Sequence, residues 1–528
     1  MTDPILIVGA GPTGLTAALE LSRAGIPVRL IDKLTEAVTT SRAIGIQART
    51  LELLQQRGVA EEMVRLGNRA EAGSVYGDGS RLFRVDFGRV ESRYNFMLFL
   101  SQAETERLLR EAIGRQGVAV ERGVELVALS QDALSQTPSP VKAVLRHSDG
   151  RLEPVQTPWL VSAEGAHSVV RSTLDLQFEG KTLDEQYALG DLYIDGELPD
   201  TDFHIFSSSH GFMGLFPMGD RRFRLIASNP LGDPRRGRPP TLDELQTIYD
   251  QRSHISARFR DMSWSSWFRI NSRMVPRLRV GRLLLGGDAA HIHSPAGAQG
   301  MNTGIQDMVN LGWKLALVAK GGAPAALLDT YEQERLPVMR DVLFKTESLT
   351  GLIGSENPIV RGLVNHLGPL IGGAGFVQES SAARMSQIAV GYRGGPLSEE
   401  HAHSGGLRAG DRVPDLRIRL QAGDAWEEDS LFGALDPLRF VLLVAHGETA
   451  AALDPGLRDA AAGWGDLVRL IELASPAETA DSAKYKAALG HGSSIFLVRP
   501  DGYVGLAASE KAAAHELTAY RDKWITPA

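Results

Sequence analysis

The 528-residue chain contains no cysteine. Disulfides, thiolate metal sites, thiol nucleophiles and dithiol redox chemistry are therefore excluded. Long apolar runs are also missing: no stretch reaches the roughly 18 consecutive apolar residues that a membrane-spanning helix needs. Basic runs are missing too, with 56 Lys and Arg against 64 Asp and Glu and a net charge of −8. Nucleic acid and anionic membrane surfaces are thus not expected partners. The N-terminal MTDPILIVGAG enters an apolar run without the charged and then apolar segments of a secretory signal, so a cytoplasmic protein is expected. What remains is an ordinary globular composition, 43% apolar and 23% charged. A chain of this length is expected to divide into roughly two to four domains.

Residues 5–8, ILIV, suit a buried parallel strand. GAGPTG then sets Gly9, Gly11 and Gly14 at GxGxxG spacing, with Pro12 and Thr13 between the last two. Leu15, Ala18 and Leu19 share one helical face, Gly25 ends the helix, and VRLID forms a second strand closing on Asp32. The first glycine permits the tight turn, the second lets backbone approach a pyrophosphate, and the third lets helix and strand pack closely. Free N–H groups at the helix start favour the anion. A carboxylate at Asp32 accepts ribose hydroxyls and repels a 2′-phosphate, so this unit fits FAD or NAD without choosing between them. GGAGFVQ at 372–378 imitates the motif but places Gln378 where the third glycine belongs, and it reads as a loop.

The stretch GGDAAHIHSPAGAQGMNTG, 286–304, follows the short apolar run Leu283–Leu285 and precedes a helical pattern that Asn302 or Thr303 is placed to cap. Asp288 falls just past the strand end, where ligands sit on open α/β sheets. Pro295 stiffens the loop, and Gly297 and Gly300 allow backbone to approach a flat ligand. Exposed amides leading into a helix N-terminus stabilise negative charge, which suits the N1–C2=O edge of a reduced isoalloxazine. His291 and His293 offer a competing metal reading, but no third ligand lies nearby, so no metal is expected.

These residues resemble the FAD-dependent aromatic hydroxylases, single-component flavoprotein monooxygenases of the p-hydroxybenzoate hydroxylase and phenol hydroxylase type. The subgroup acting on phenols and aromatic polyketides is the nearest. The resemblance implies FAD held by Gly9, Gly11, Pro12, Thr13, Gly14, Asp32 and Lys33, with Arg42 of the SRA segment near the pyrophosphate and the nicotinamide route. It further implies Gln102 ahead of a helix, backbone near Leu126 on the adenine side, and Asp288 on the ribityl chain. Pro295, Gly297, Gly300, Met301 and Asn302 become the flavin-ring loop, with Pro295 on the hydroperoxide side. NADPH or NADH is implied as a transient reductant and O2 as co-substrate, and a flavin C4a-hydroperoxide hydroxylates the aromatic ring. Baeyer–Villiger oxygen insertion on the same scaffold, or flavin binding without turnover, stay open as alternatives. One departure stands out: the family's Asp-Gly pair is Glu164-Gly165 here, with Arg171 at the usual spacing.

The implied fold class is α/β: a Rossmann-type FAD-binding domain with an inserted, mostly antiparallel substrate sheet and a C-terminal thioredoxin-like domain. The expected boundaries are 1–70, 101–175 and 275–390 for FAD, 71–100 and 176–274 for substrate, and 400–528 for the last domain. Phe206, Met213, Leu215, Phe216 and Phe223 are the candidate substrate-pocket residues. Tyr76, Tyr94 and His210 are candidates for a substrate-deprotonating base. RPDGYV, from Arg499, reads as a strand-connecting turn. The expected partner is a small aromatic molecule, and the chain is expected to be a monomer or homodimer.

Overall fold

Five short strands lie side by side and parallel: Leu283–Leu285, Leu160–Ser162, Ile5–Val8, Val28–Asp32 and Val120–Arg122. This is a computed structural model that describes residues 3–525 except 40–42, 78–79, 132–138, 230–237, 294–296, 354–380, 423–424, 447–452 and 477–478. Arg42, Pro295 and the 372–378 stretch lie outside the described residues.

Ile5–Val8 is buried at all four positions, which is why its sequence is unbroken apolar rather than alternating. Because the strands are parallel, the turns after Val8, Ser162 and Leu285 leave from the same edge of the sheet. Two glycines make this packing possible. Gly9 has φ +102°, and a Cβ on it would fall 2.2 Å from the Ala163 carbonyl oxygen. A Cβ on Gly14 would fall 1.8 Å from the Gly9 carbonyl oxygen. The helix Pro12–Arg23 therefore sits directly against the strand it follows.

The second sheet has eight strands, in the order His291–Ile292, Ala257–Met274, Glu179–Gly196, Arg222–Asn229, Gly211–Pro217, Asp202–Ser208, Ala72–Gly77 and Ser80–Asp86. All neighbours are antiparallel except Asp202–Ser208 with Ala72–Gly77. One face is covered by the helix Leu242–Arg252, which starts with a Thr241/Glu244 capping box and inserts Leu245 and Tyr249. The other face carries Tyr187, Leu189, Ile226 and Ile270.

In the C-terminal region the strands Phe440–Ala445, Val468–Ala474, Ser494–Val498 and Val504–Ser509 alternate with helices in a β-α-β-α-β-β-α chain order, ending in Glu510–Trp524. Phe440–Ala445 is parallel to Val468–Ala474 and antiparallel to Ser494–Val498. Among the described residues no helix is long and apolar enough to cross a membrane.

A buried ionic interface joins this region to the rest. Arg499 donates to both Glu334 oxygens, at 2.5 and 3.0 Å, and Lys314 Nζ donates to Glu334 at 2.7 Å. Burial alone would raise the Glu334 carboxyl, but Arg499 and Lys314 outweigh it and bring it to about 2. Such a depressed carboxylate stabilises the fold fully above its unfolded value of 4.5 and loses that contribution as pH falls toward about 2. The unfolding temperature is therefore expected to drop across that window. Thermal melts of Glu334→Gln should show a lower unfolding temperature at neutral pH and a flatter acid limb.

Candidate active site

The three turns open onto one cavity of about 400 Å³. Gly11, Pro12 and Thr13 come from the first turn, Ala163, Gly165 and Ala166 from the second, and Asp288 from the third. Ala298 to Met301 and Ala43 to Gly45 close the sides, with Gln102 between them. The opposite wall comes from the eight-stranded sheet and a neighbouring strand: Phe99, Leu189, Phe216, Ile226, Phe268 and Ile270 make it mainly apolar, and Arg269 and Asn271 add two polar side chains.

Gly11 is the N-cap of its helix with no side-chain cap, so the first-turn amides are left for an external acceptor. A Cβ at Gly11 would meet nothing within 4 Å, so glycine here keeps cavity space open rather than relieving a backbone clash. Asp32 braces the turn: its Oδ2 accepts from Ala10 N–H at 2.7 Å and its Oδ1 from Leu34 N–H at 2.8 Å. Lys33 beside it is exposed. Gln102 begins the helix Gln102–Gly114 and donates from Nε2 to Glu106 Oε1 at 2.8 Å. Burial raises the Glu106 carboxyl, Gln102 and Arg110 oppose the rise, and the charge of Asp32 adds to it. Leu126 is buried on the edge strand Val124–Ser130, outside the cavity lining.

The third turn is held from behind. Gly287 has φ +56°, and a Cβ on it would fall 2.3 Å from Thr13 Oγ1. Its N–H donates to Asp307 Oδ2 at 3.2 Å. Asp307 is fully buried, with Arg335 Nε at 2.8 Å and His291 Nε2 at 2.8 Å. Asp288 itself is exposed toward the cavity. His291 thus serves the carboxylate behind the turn, while the parallel ring of His293, centred 6.1 Å away, lines the cavity. Among the described residues no group of three His, Asp or Glu is arranged to hold a metal.

The 297–302 loop is stapled to the segment ahead of the Ala48–Gln55 helix. Asn302 is fully buried, accepts from Gln47 N–H at 2.9 Å and donates to the carbonyls of Gly45 and Ala298 at 2.9 and 2.7 Å. Gln47 Nε2 donates to the Gly297 carbonyl at 2.6 Å. The helix Gly300–Ala319 starts with no side-chain cap, so its first amides also face the loop, and Asn302 staples the loop instead of capping it.

Glu164 uses its extra length. Its two oxygens accept from the hydroxyls of Ser162 and Ser168, at 2.7 and 2.6 Å, and from Val169 and Val170 N–H, at 3.0 and 3.2 Å. It therefore satisfies the N-terminus of the short helix Val169–Thr173 together with its Ser168 cap. Arg171 in that helix donates to the Ala289 carbonyl at 3.1 Å and lies 4.0 Å over the Phe178 ring, tying the second turn to the third. Glu164→Ala would strand several donors and is expected to cost about 2 kcal/mol in a chemical denaturation curve.

Strand alternation divides the five pocket candidates. Phe216 lines the cavity, 5.8 Å from Phe99 ring to ring. Phe206, Met213, Leu215 and Phe223 lie on the opposite face, in the core under the Leu242–Arg252 helix. None of the three base candidates lines the cavity. Tyr76 stacks on Phe206 at 4.8 Å, Tyr94 donates to Gln55 at 3.0 Å, and His210 sits in the turn after Ser208. Gln47, Asp307, Phe99, Leu189 and Phe268 had no sequence signal as site residues, since their roles come from partners distant in the chain.

Fold and cavity together define the class as a dinucleotide-binding α/β protein with an aromatic wall facing the glycine turn. Residues 2–346 match the FAD-binding-domain family, and residues 407–528 match the aromatic-ring hydroxylase C-terminal family. The chain belongs to the FAD-dependent aromatic-ring hydroxylases, which are flavin monooxygenases. It is 34% identical over 547 residues to 6-methylpretetramide 4-monooxygenase of Streptomyces rimosus, covering 98% of this chain and 92% of that protein. Pentachlorophenol 4-monooxygenase of Sphingobium chlorophenolicum is 34% identical over 427 residues, 79% of this chain and 77% of that one. Among solved structures, an anhydrotetracycline hydroxylase from Streptomyces rimosus superposes with a TM-score of 0.79 at 32% identity, with both chains fully covered.

Proposed function

We propose that this enzyme binds FAD in the cavity, takes electrons from NADPH or NADH, and uses O2 to hydroxylate a phenolic or polyketide-like ring. The observation that carries this reading is the meeting of Gly11, Asp288 and Met301 with Phe99, Phe216 and Phe268 around a single space. Two relatives named for oxygenating 6-methylpretetramide and pentachlorophenol support an aromatic substrate.

FAD, when bound, supplies hydride acceptance and oxygen activation. The chain supplies the rest. Gly9, Gly11, Pro12, Thr13 and Gly14 offer the pyrophosphate an uncapped helix start, and Asp32 and Gln102 flank the ribose side. The family resemblance assigns Lys33, Arg42 and the backbone at Leu126 to the same half of the cofactor, although Leu126 lies outside the cavity lining. Asp288 holds the ribityl hydroxyls. Gly297, Gly300, Met301 and Asn302 form the ring loop, to which the family resemblance adds Pro295, and uncapped helix amides there would stabilise negative charge on the ring edge. The aromatic wall excludes water and stacks on the substrate ring, and the eight-stranded sheet is the substrate domain.

The test is NAD(P)H oxidation by FAD-loaded enzyme across a panel of phenols and tetracyclic polyketides. At least one aromatic should accelerate oxidation and emerge hydroxylated. Oxidation that no aromatic stimulates would sink the reading.

A further inference from the structure

The helix Gly300–Ala319 belongs to two cores. Gly300 and Met301 line the cavity, whereas Trp313 lies in the C-terminal core, edge-on to Phe440 with ring centres 5.4 Å apart. A buried series of hydrogen bonds and ion pairs, with one ring–guanidinium contact in it, runs beside it. From the cavity end, Gly287 N–H donates to Asp307, and Arg335 Nε donates to the other Asp307 oxygen. Arg335 also donates to Tyr392 Oη at 3.1 Å and to the Thr303 carbonyl at 3.3 Å. The Tyr392 ring lies 5.3 Å from the Arg499 guanidinium. Arg499 grips Glu334 and Asp501, whose carboxylate also accepts from Trp313 Nε1 at 3.2 Å. The Asp501 carbonyl accepts from Arg49 at 2.8 Å, in the helix that follows Gln47. Asp307, Arg335, Tyr392, Arg499 and Asp501 are all buried.

The turn at Arg499–Asp501 does more than connect two strands, since it inserts into the domain that carries the cavity. Buried ion pairs add little net stability over an apolar core of the same volume. What this arrangement supplies is a fixed geometry, because planar guanidinium groups accept few alternative positions. We propose that the C-terminal turn Arg499–Asp501 is a positioning element for the flavin site, acting through Tyr392 and Arg335 on Asp307 and so on the Gly287–Asp288 turn. The inference rests on the reading that FAD occupies the cavity.

Tyr392→Phe is the decisive variant, because it keeps the ring and removes only the hydroxyl that Arg335 reaches. Tyr485→Phe is the matched control: its buried hydroxyl donates to the carbonyls of His446 and Leu473 within the C-terminal domain. Two readouts serve: the FAD dissociation constant from flavin fluorescence, and amide exchange of residues 286–290 in the apoprotein. Tyr392→Phe is expected to weaken FAD about fivefold and speed that exchange, while Tyr485→Phe changes neither. Arg499→Lys should weaken FAD by about the same factor, and the double variant by well under the product of the two. FAD affinity of Tyr392→Phe within twofold of the unaltered chain would overturn the proposal, as would two effects that simply multiply. If the unaltered chain fails to bind FAD, the functional reading falls and this inference with it.

Discussion

Gly11→Val is expected to weaken FAD binding by about 100-fold, close to 2.8 kcal/mol, while leaving the apoprotein folded. The backbone there is extended, with φ −75° and ψ −177°, which valine adopts readily. A Cβ meets nothing within 4 Å, so the side chain starts into open space. The stability cost should stay below about 1 kcal/mol, the scale of a changed helix N-cap. The isopropyl group instead fills the space in front of the first-turn amides, where the pyrophosphate is to lie. Gly14→Ala provides the contrast. Its Cβ would lie 1.8 Å from the Gly9 carbonyl oxygen, so helix and strand must separate. That variant should lose about 3 kcal/mol of stability as well as FAD. Fluorescence titration with FAD and denaturation of the apoproteins separate the two effects. A valine variant that binds FAD as tightly as the unaltered chain would contradict the assignment of this turn.

Asp307→Asn is expected to cost about 3 kcal/mol, measured by urea denaturation of the apoprotein. Burial pushes the Asp307 carboxyl up, but Arg335 and His291 outweigh it and hold it below its ordinary value. The carboxylate is therefore charged in the fold. Neutralising it leaves Arg335, fully buried, without its counter-charge. The Gly287 N–H also loses a charged acceptor, so FAD binding should fall with stability. Pairing Asp307→Leu with Arg335→Met should recover much of the loss, since removing both charges is cheaper than removing one. A cost under about 1 kcal/mol for Asp307→Asn would show that the buried cluster is not under this electrostatic constraint.

The legible features were those whose physics is local. Gly9, Gly11 and Gly14 are read from spacing because a turn, an open approach and a helix contact each require glycine within six residues. Asp32 is read from its place at the end of a strand and Asp288 from its place just past one. Pocket residues were legible only in part. Leu215 and Phe216 are neighbours on a strand and must point to opposite faces, and the sequence does not say which face meets the cofactor. The Leu242–Arg252 helix decides this by covering the Leu215 face. Glu164 was visible as a departure from Asp, but its role depends on the helix start at Ser168 that it reaches. The pairing of Asp307 with Arg335 spans 28 residues and that of Arg499 with Glu334 spans 165, so no local pattern announces either. The RPDG turn was legible as a turn and not as the contact it makes.

Oxygenation of an aromatic ring with one atom from O2 is the activity proposed for the cavity. The most direct measurement supplies FAD-loaded enzyme, NADPH and isotopically labelled dioxygen to an aromatic that stimulates turnover, followed by mass and NMR analysis of the product. A single labelled oxygen attached to a ring carbon as a hydroxyl is expected. NADPH consumption that yields only hydrogen peroxide and unlabelled aromatic, or label found in an ester or lactone, would contradict it.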